Sequence, residues 1–144
     1  MTRLYLDTNI FLYAADRKSP YFRACTKFLK YSLDKDIPLL TSVETVQELI
    51  HYTKNTHQLS KGLKIAKNLI KVVAQLLPLT EKTIEIYLKM VKKHPESSSR
   101  DLIHLATCLE NGLEKIITFD KDFKSFKGFT PLLPELLAWD PVWQ

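Results

Sequence analysis

Asp7, Glu48, Asp101 and Asp120 are spread over most of a 144-residue chain, so only folding could bring their carboxylates together. Carboxylates repel one another at close range, and a cluster of them usually means that a hard cation sits between them. Asp7 closes the run Arg3-Leu4-Tyr5-Leu6, and Asp120 closes Lys115-Ile116-Ile117-Thr118-Phe119. Glu48 lies in Glu44-Thr45-Val46-Gln47-Glu48-Leu49, and Asp101 opens Asp101-Leu102-Ile103-His104-Leu105-Ala106-Thr107.

The elements that must position these acids alternate between strand and helix. Residues 2–6 read as a short buried strand ending at Asp7, and Pro38–Thr41 as a second with proline at its first position. A third, weaker strand is expected at 74–79, a fourth at Lys115–Phe119 and a last short one at Thr130–Leu133. Helical periodicity marks 21–35, 42–57 and 60–73. A further helix starts near Thr80, with Ile84, Tyr87, Leu88 and Val91 on one side, and Pro95 stops it. Another follows the Ser97-Ser98-Ser99 loop and runs to Gly112, a natural C-cap. Such alternation implies a parallel sheet covered on both faces, with its functional crevice at the carboxyl ends of the strands. Asp7 and Asp120 would sit at that edge, and Glu48 and Asp101 would reach it from early helical turns.

Each acid has a competing structural explanation. Asp7-Thr8-Asn9 are favoured turn and N-cap residues, although Thr8 and Asn9 could equally steady the Asp7 carboxylate or a water. Thr41-Ser42-Val43-Glu44 fits a capping box in which Glu44 bonds back to Thr41, and this leaves Glu48 as the candidate ligand. Ser98 is a candidate N-cap with Asp101 at the third helical position, where the helix dipole favours an acid. His104 is expected to pack or hydrogen-bond, outside the ligand set. Asp122 is a weaker candidate beside Asp120, and Thr118 could orient a carboxylate through its hydroxyl. Lys61, Lys64, Lys67 and Lys71 form a stripe opposite Leu63, Ala66, Leu69 and Ile70, either a solvated face or a phosphate contact.

Bulk properties narrow the classes. Residues 1–144 suffice for one domain that buries roughly two-thirds of its unfolded surface. With three glycines and neither GxGxxG nor GxxxxGK[ST], the common nucleotide-binding loops are excluded. Cys25 and Cys108 have no metal-binding spacing and read as small buried hydrophobes, which suits a reducing, cytoplasmic setting. No leader or membrane-spanning run is apparent. The net charge of +5 is compatible with a polyanionic partner without requiring one.

Leu4-Tyr5-Leu6-Asp7-Thr8-Asn9-Ile10, Glu48 in its helix, Asp101–Thr107 and Thr118-Phe119-Asp120-Lys121-Asp122-Phe123 together resemble the PIN domain family, in order and over nearly the whole chain. The resemblance implies a three-layer α/β/α sandwich with a central parallel β-sheet and an acidic pocket for Mg²⁺ or Mn²⁺. It also implies endoribonuclease activity. A chain of this length is most similar to VapC-type toxins, which implies a homodimer silenced by a small antitoxin, with RNA as substrate. Carried over by position, the catalytic and metal-binding acids are Asp7, Glu48, Asp101 and Asp120. Asn9 and Thr118 support them. Phe119 departs from the small or polar residue usual there and alters the rim.

Water activated by such a metal would leave 5′-phosphate and 3′-hydroxyl ends. Glu48 could be a ligand or a base. An aspartyl phosphatase would place a second Asp where Asn9 stands, and a receiver module lacks a suitable lysine, Lys121 being a poor fit. An RNA-processing nuclease without an antitoxin, or a non-catalytic RNA- or protein-binding module on the same scaffold, remains as an alternative.

Overall fold

The computed structural model describes residues 3–120, 123 and 126, together with the backbone of 130–132. Five short strands, β1 (Leu4–Leu6), β2 (Leu39–Ser42), β3 (Gln75–Leu77), β4 (Lys115–Ile117) and β5 (Thr130–Leu132), pair in the order β3-β2-β1-β4-β5. Every pairing is parallel. Among the described residues six helices accompany them: α1 (Thr8–Ala14), α2 (Phe22–Asp34), α3 (Val43–Asn55), α4 (Leu59–Val72), α5 (Glu81–Lys93) and α6 (Ser99–Glu110).

Alternation along three-residue strands suffices to build two cores. Leu4 and Leu6, Leu39 and Ile117 point to one face, where Ile10, Phe28, Leu49 and Leu69 of α1–α4 cover them. Tyr5, Leu40, Leu77 and Ile116 point to the other, against Leu102, Leu105 and Cys108 of α6 and Tyr87, Met90 and Val91 of α5. Each fully buried aliphatic side chain contributes about 1.5–3 kcal/mol. Because both faces are covered, the strands read as continuous apolar runs. The result is the expected α/β/α sandwich.

Several local expectations change. α1 was not expected, since its seven residues are too few to display a period. Its N-cap is Asp7, which accepts a hydrogen bond from the Thr8 amide. The capping box at Thr41–Glu44 does not form. Thr41 stays in the β2 ladder opposite Leu76 and donates its hydroxyl to the Leu6 carbonyl, so Ser42 becomes the N-cap of α3. On α5 the buried side is Thr83, with Tyr87, Met90 and Val91 packed on the core, while Ile84 and Leu88 are exposed. On α4, Ile65, Ala66 and Leu69 are buried but Leu63 and Ile70 face out, so the lysine stripe is not opposite a wholly buried face. Gly112, at φ +66°, follows α6, with the Leu113 amide donating to the Cys108 carbonyl. That is the Schellman arrangement glycine favours.

The α3–α4 hairpin closes at a point where only glycine fits. A Cβ on Gly62 would lie 2.0 Å from the Thr53 hydroxyl oxygen, and Thr53 is buried and donates to the Leu49 carbonyl. Gly62→Ala is therefore expected to destabilise the protein by about 1–3 kcal/mol. Adding Thr53→Ala should recover part of that loss in a denaturation double-mutant cycle, and additive losses would show that the contact is not the cause.

Candidate active site

The parallel sheet switches direction of growth at β1, with β2 on one side and β4 on the other. Crevices form at the carboxyl ends of strands at such a point. Asp7 lies there, immediately after β1. The register that pairs Leu6 with Ile117 sets Thr118 beside it, and the Asp7 amide donates to the Ile117 carbonyl. β4 ends at Ile117 rather than Phe119 because Thr118 turns its hydroxyl into this corner.

From Asp7 a continuous hydrogen-bonded network runs in both directions. The Thr118 hydroxyl donates to Asp7 Oδ2 at 2.8 Å and accepts from the Asp120 amide at 2.9 Å. The Thr8 amide donates to Asp7 Oδ1 at 2.7 Å, and the Thr8 hydroxyl donates to Glu48 Oε2, also at 2.7 Å. Glu48 Oε1 meets His104 Nε2 at 2.9 Å, and His104 Nδ1 meets the Tyr5 hydroxyl at 2.5 Å. Tyr5 in turn shares a hydrogen bond with Ser42, the N-cap of α3. Strand ends β1, β2 and β4 and helices α1, α3 and α6 are thus joined by side chains.

The electrostatics follow from burial opposed by these partners. Burial pushes the Asp7 carboxyl upward, and the His104 charge and the Thr118 and Thr8 bonds only partly offset it. Burial also works against ionised Glu48, but the bond and charge of His104, with Thr8 and Arg100, outweigh it and leave Glu48 lowered. His104 is raised: burial disfavours its cation, yet Glu48, Asp7 and Glu44 together prevail. Glu44 is raised by burial and by the neighbouring Glu48. Glu44 therefore belongs electrostatically to this corner rather than to a cap.

Asp101 occupies the third position of α6, one turn before His104. Ser98 is the N-cap residue but makes no side-chain cap bond. The charge of Arg100 acts on Glu44 and Glu48, so the first turn of α6 opens onto the same corner. Asp7 and Glu48 are bridged directly by Thr8, and the Asp120 backbone joins them through Thr118. Asn9 instead lines a cleft with Tyr13 and Tyr52. Phe119 packs on Tyr21 at 4.3 Å and edge-on to Tyr13 at 5.6 Å between ring centroids. Asp122 lies outside the described residues.

Tyr5, Ser42 and His104 are the members of the network that were not assigned to the site from the sequence. Their signal was a tyrosine inside a fully apolar strand and a histidine between Ile103 and Leu105, since buried hydroxyl and imidazole groups need partners. A divalent ion suits this corner in chemistry: the donors are hard oxygens, and Asp7 is a buried carboxylate whose ionisation is opposed. Among the described residues, no group of three or more His, Cys, Asp or Glu is placed to hold a metal ion by itself.

Comparison with known proteins agrees with this architecture. The PIN domain family matches residues 4–128. Ribonuclease VapC23 of Mycobacterium tuberculosis is 32% identical over 122 residues, covering 85% of this chain and 96% of that protein. Among solved structures, VapBC2 from Rickettsia felis, bound to a DNA fragment from its promoter, superposes with a TM-score of 0.75 at 14% identity, over 92% of this chain and 98% of that one. VapC20 of M. tuberculosis, a toxin that cleaves the sarcin–ricin loop, gives 0.72 at 17% identity, over 88% and 96%.

Proposed function

The chain belongs to the PIN domain family, in its VapC ribonuclease branch, and on that premise we propose that it is a metal-dependent endoribonuclease and the toxin of a toxin–antitoxin pair. The observation that carries the reading is the Asp7–Thr8–Glu48–His104 network at the carboxyl edge of β1. Residues 1–144 act as one nuclease domain, with Asp7, Glu48, Asp101 and Asp120 as the acidic set. Mg²⁺ or Mn²⁺ would be held by Asp7, Asp101 and Asp120, directly or through water.

When bound, the ion supplies an activated water and neutralises charge on the phosphate. Asp7 is held by two donors, which fixes its carboxylate and keeps it from swinging toward solvent. Both Glu48 oxygens already accept a hydrogen bond, so Glu48 offers its remaining lone pairs to orient the attacking water rather than acting as a bidentate ligand. His104 keeps that carboxylate ionised, and Tyr5 holds the imidazole.

The antitoxin is supported by fold neighbours solved as VapBC assemblies, and a homodimer accompanies that reading. Action in the cytoplasm belongs to the same proposal; no helix among the described residues is long and apolar enough to cross a membrane. The test is digestion of pooled cellular RNA with Mn²⁺ or Mg²⁺. Cleavage should vanish in EDTA and in Asp101→Asn, and cleavage that persists in either defeats the proposal.

A further inference from the structure

A cleft of ≈ 330 Å³ lies between α1, the turn after it and the α3–α4 hairpin. This is within the range of small-molecule sites, about 300–1,000 Å³. Beside the acid Asp16, a threonine and aliphatic side chains, its lining holds three kinds of group suited to RNA. Tyr13 and Tyr52 are aromatic, Asn9 and Gln58 are amides, and Lys18 and Lys61 are cations. Tyr52 is 52% exposed, so core packing does not account for its position. Lys18 and Lys61 form no ion pair among the described residues. An amide presents donor and acceptor side by side, the complement of a base edge. Unpaired RNA bases are recognised by stacking on aromatic rings and hydrogen bonding at their edges, with cations on the flanking phosphates.

The cleft adjoins the acids. Asn9 stands two residues after Asp7, and the intervening Thr8 bonds to Glu48. Tyr13 packs edge-on to Phe119, the residue before Asp120. The Gly62–Thr53 contact fixes the hairpin that forms the far wall.

We infer that this cleft seats one unpaired RNA base beside the phosphodiester to be cut. Tyr52 stacks on the base, Asn9 and Gln58 read its edge, and Lys18 and Lys61 hold adjacent phosphates. The inference rests on the ribonuclease reading for the identity of the strand.

The test uses the full-length protein in EDTA with hairpin RNAs carrying 2-aminopurine at each loop position in turn. One position should be quenched on binding. Tyr52→Phe should retain the quench, whereas Tyr52→Ala should lose it and weaken binding by about tenfold or more. Lys18→Ala and Lys61→Ala should each lower the salt slope by roughly 0.7 with the quench retained. Unchanged quench and affinity in Tyr52→Ala, or equal affinity for a fully paired duplex, overturns the inference. So does a Tyr52→Ala protein that binds RNA normally but no longer captures a co-expressed antitoxin, since the cleft is then a protein site. Cleavage by wild type in Mn²⁺ is scored separately. A quench without cleavage defeats the ribonuclease reading and leaves the base site standing.

Discussion

Asp7→Asn should lower kcat/KM for RNA cleavage by on the order of 10²–10³-fold while leaving the fold intact. The side chain lies in a closed corner, 8% exposed, with Thr8 and Thr118 donating to its two oxygens. Asparagine has the same shape and keeps one acceptor, but it cannot supply the negative charge. Stability should move the other way in metal-free protein. Burial raises the Asp7 pKa above its ordinary value of 3.8, so the folded state binds more protons than the unfolded state between the two values. Stability therefore falls as pH rises through that window, and at neutral pH the ionised group is a net cost. Metal-free Asp7→Asn should melt at or above the wild-type temperature. At a hundredfold excess over Kd, Mn²⁺ should raise the wild-type Tm by roughly 5–10 °C. The variant should gain little. A variant that melts far below wild type would mean that Asp7 acts chiefly as the N-cap of α1.

His104→Ala should cost about 3–5 kcal/mol of stability and most of the activity, because it takes the charged partner from Glu48 and one of two hydrogen-bond partners from the Tyr5 hydroxyl. His104 is 2% exposed and Glu48 12% exposed, so water replaces the lost partner poorly. His104→Gln, which restores a donor toward Glu48, should recover part of both. The pH dependence has a definite form. His104 is raised above its ordinary 6.5, so its ionic contribution is complete below that value and is lost as pH rises through the folded pKa. Glu48 is lowered from 4.5, so its contribution is present above that value and lost as pH falls through the folded pKa. The stability gap between wild type and His104→Ala should therefore be widest from pH 4.5 to 6.5. Urea denaturation across pH checks this, and a flat gap would show that packing, not the ion pair, is lost.

The strand ends carried most of what the sequence could reveal. Leu4-Tyr5-Leu6 and Lys115-Ile116-Ile117 are apolar enough to be buried on both faces, and a polar residue after each marks the carboxyl edge. That alone placed Asp7 near Asp120. What sequence could not supply was register. The pairing of Leu6 with Ile117 decides that Thr118, rather than Asn9, meets Asp7. α1 is not legible in the sequence because seven residues span only two turns, and its apolar Ile10 and Phe11 look like a continuation of the strand. Glu44 does not cap α3 because a one-residue shift of the N-cap, from Thr41 to Ser42, removes its capping partner. On α5 the periodicity was real but the buried side is rotated toward Met90, since the helix leans on α6 as well as on the sheet.

The most direct measurement is the chemistry of the cut ends. RNA digested with Mn²⁺ by wild type and by Asp101→Asn is ligated to adapters that require either a 5′-phosphate or a 5′-hydroxyl, and the junctions are sequenced. Water as nucleophile predicts 5′-phosphate and 3′-hydroxyl ends at discrete sites, present with wild type and absent with Asp101→Asn. Cyclic 2′,3′-phosphates with 5′-hydroxyl ends, or the same junctions from Asp101→Asn, would contradict a carboxylate-held metal as the origin of cleavage.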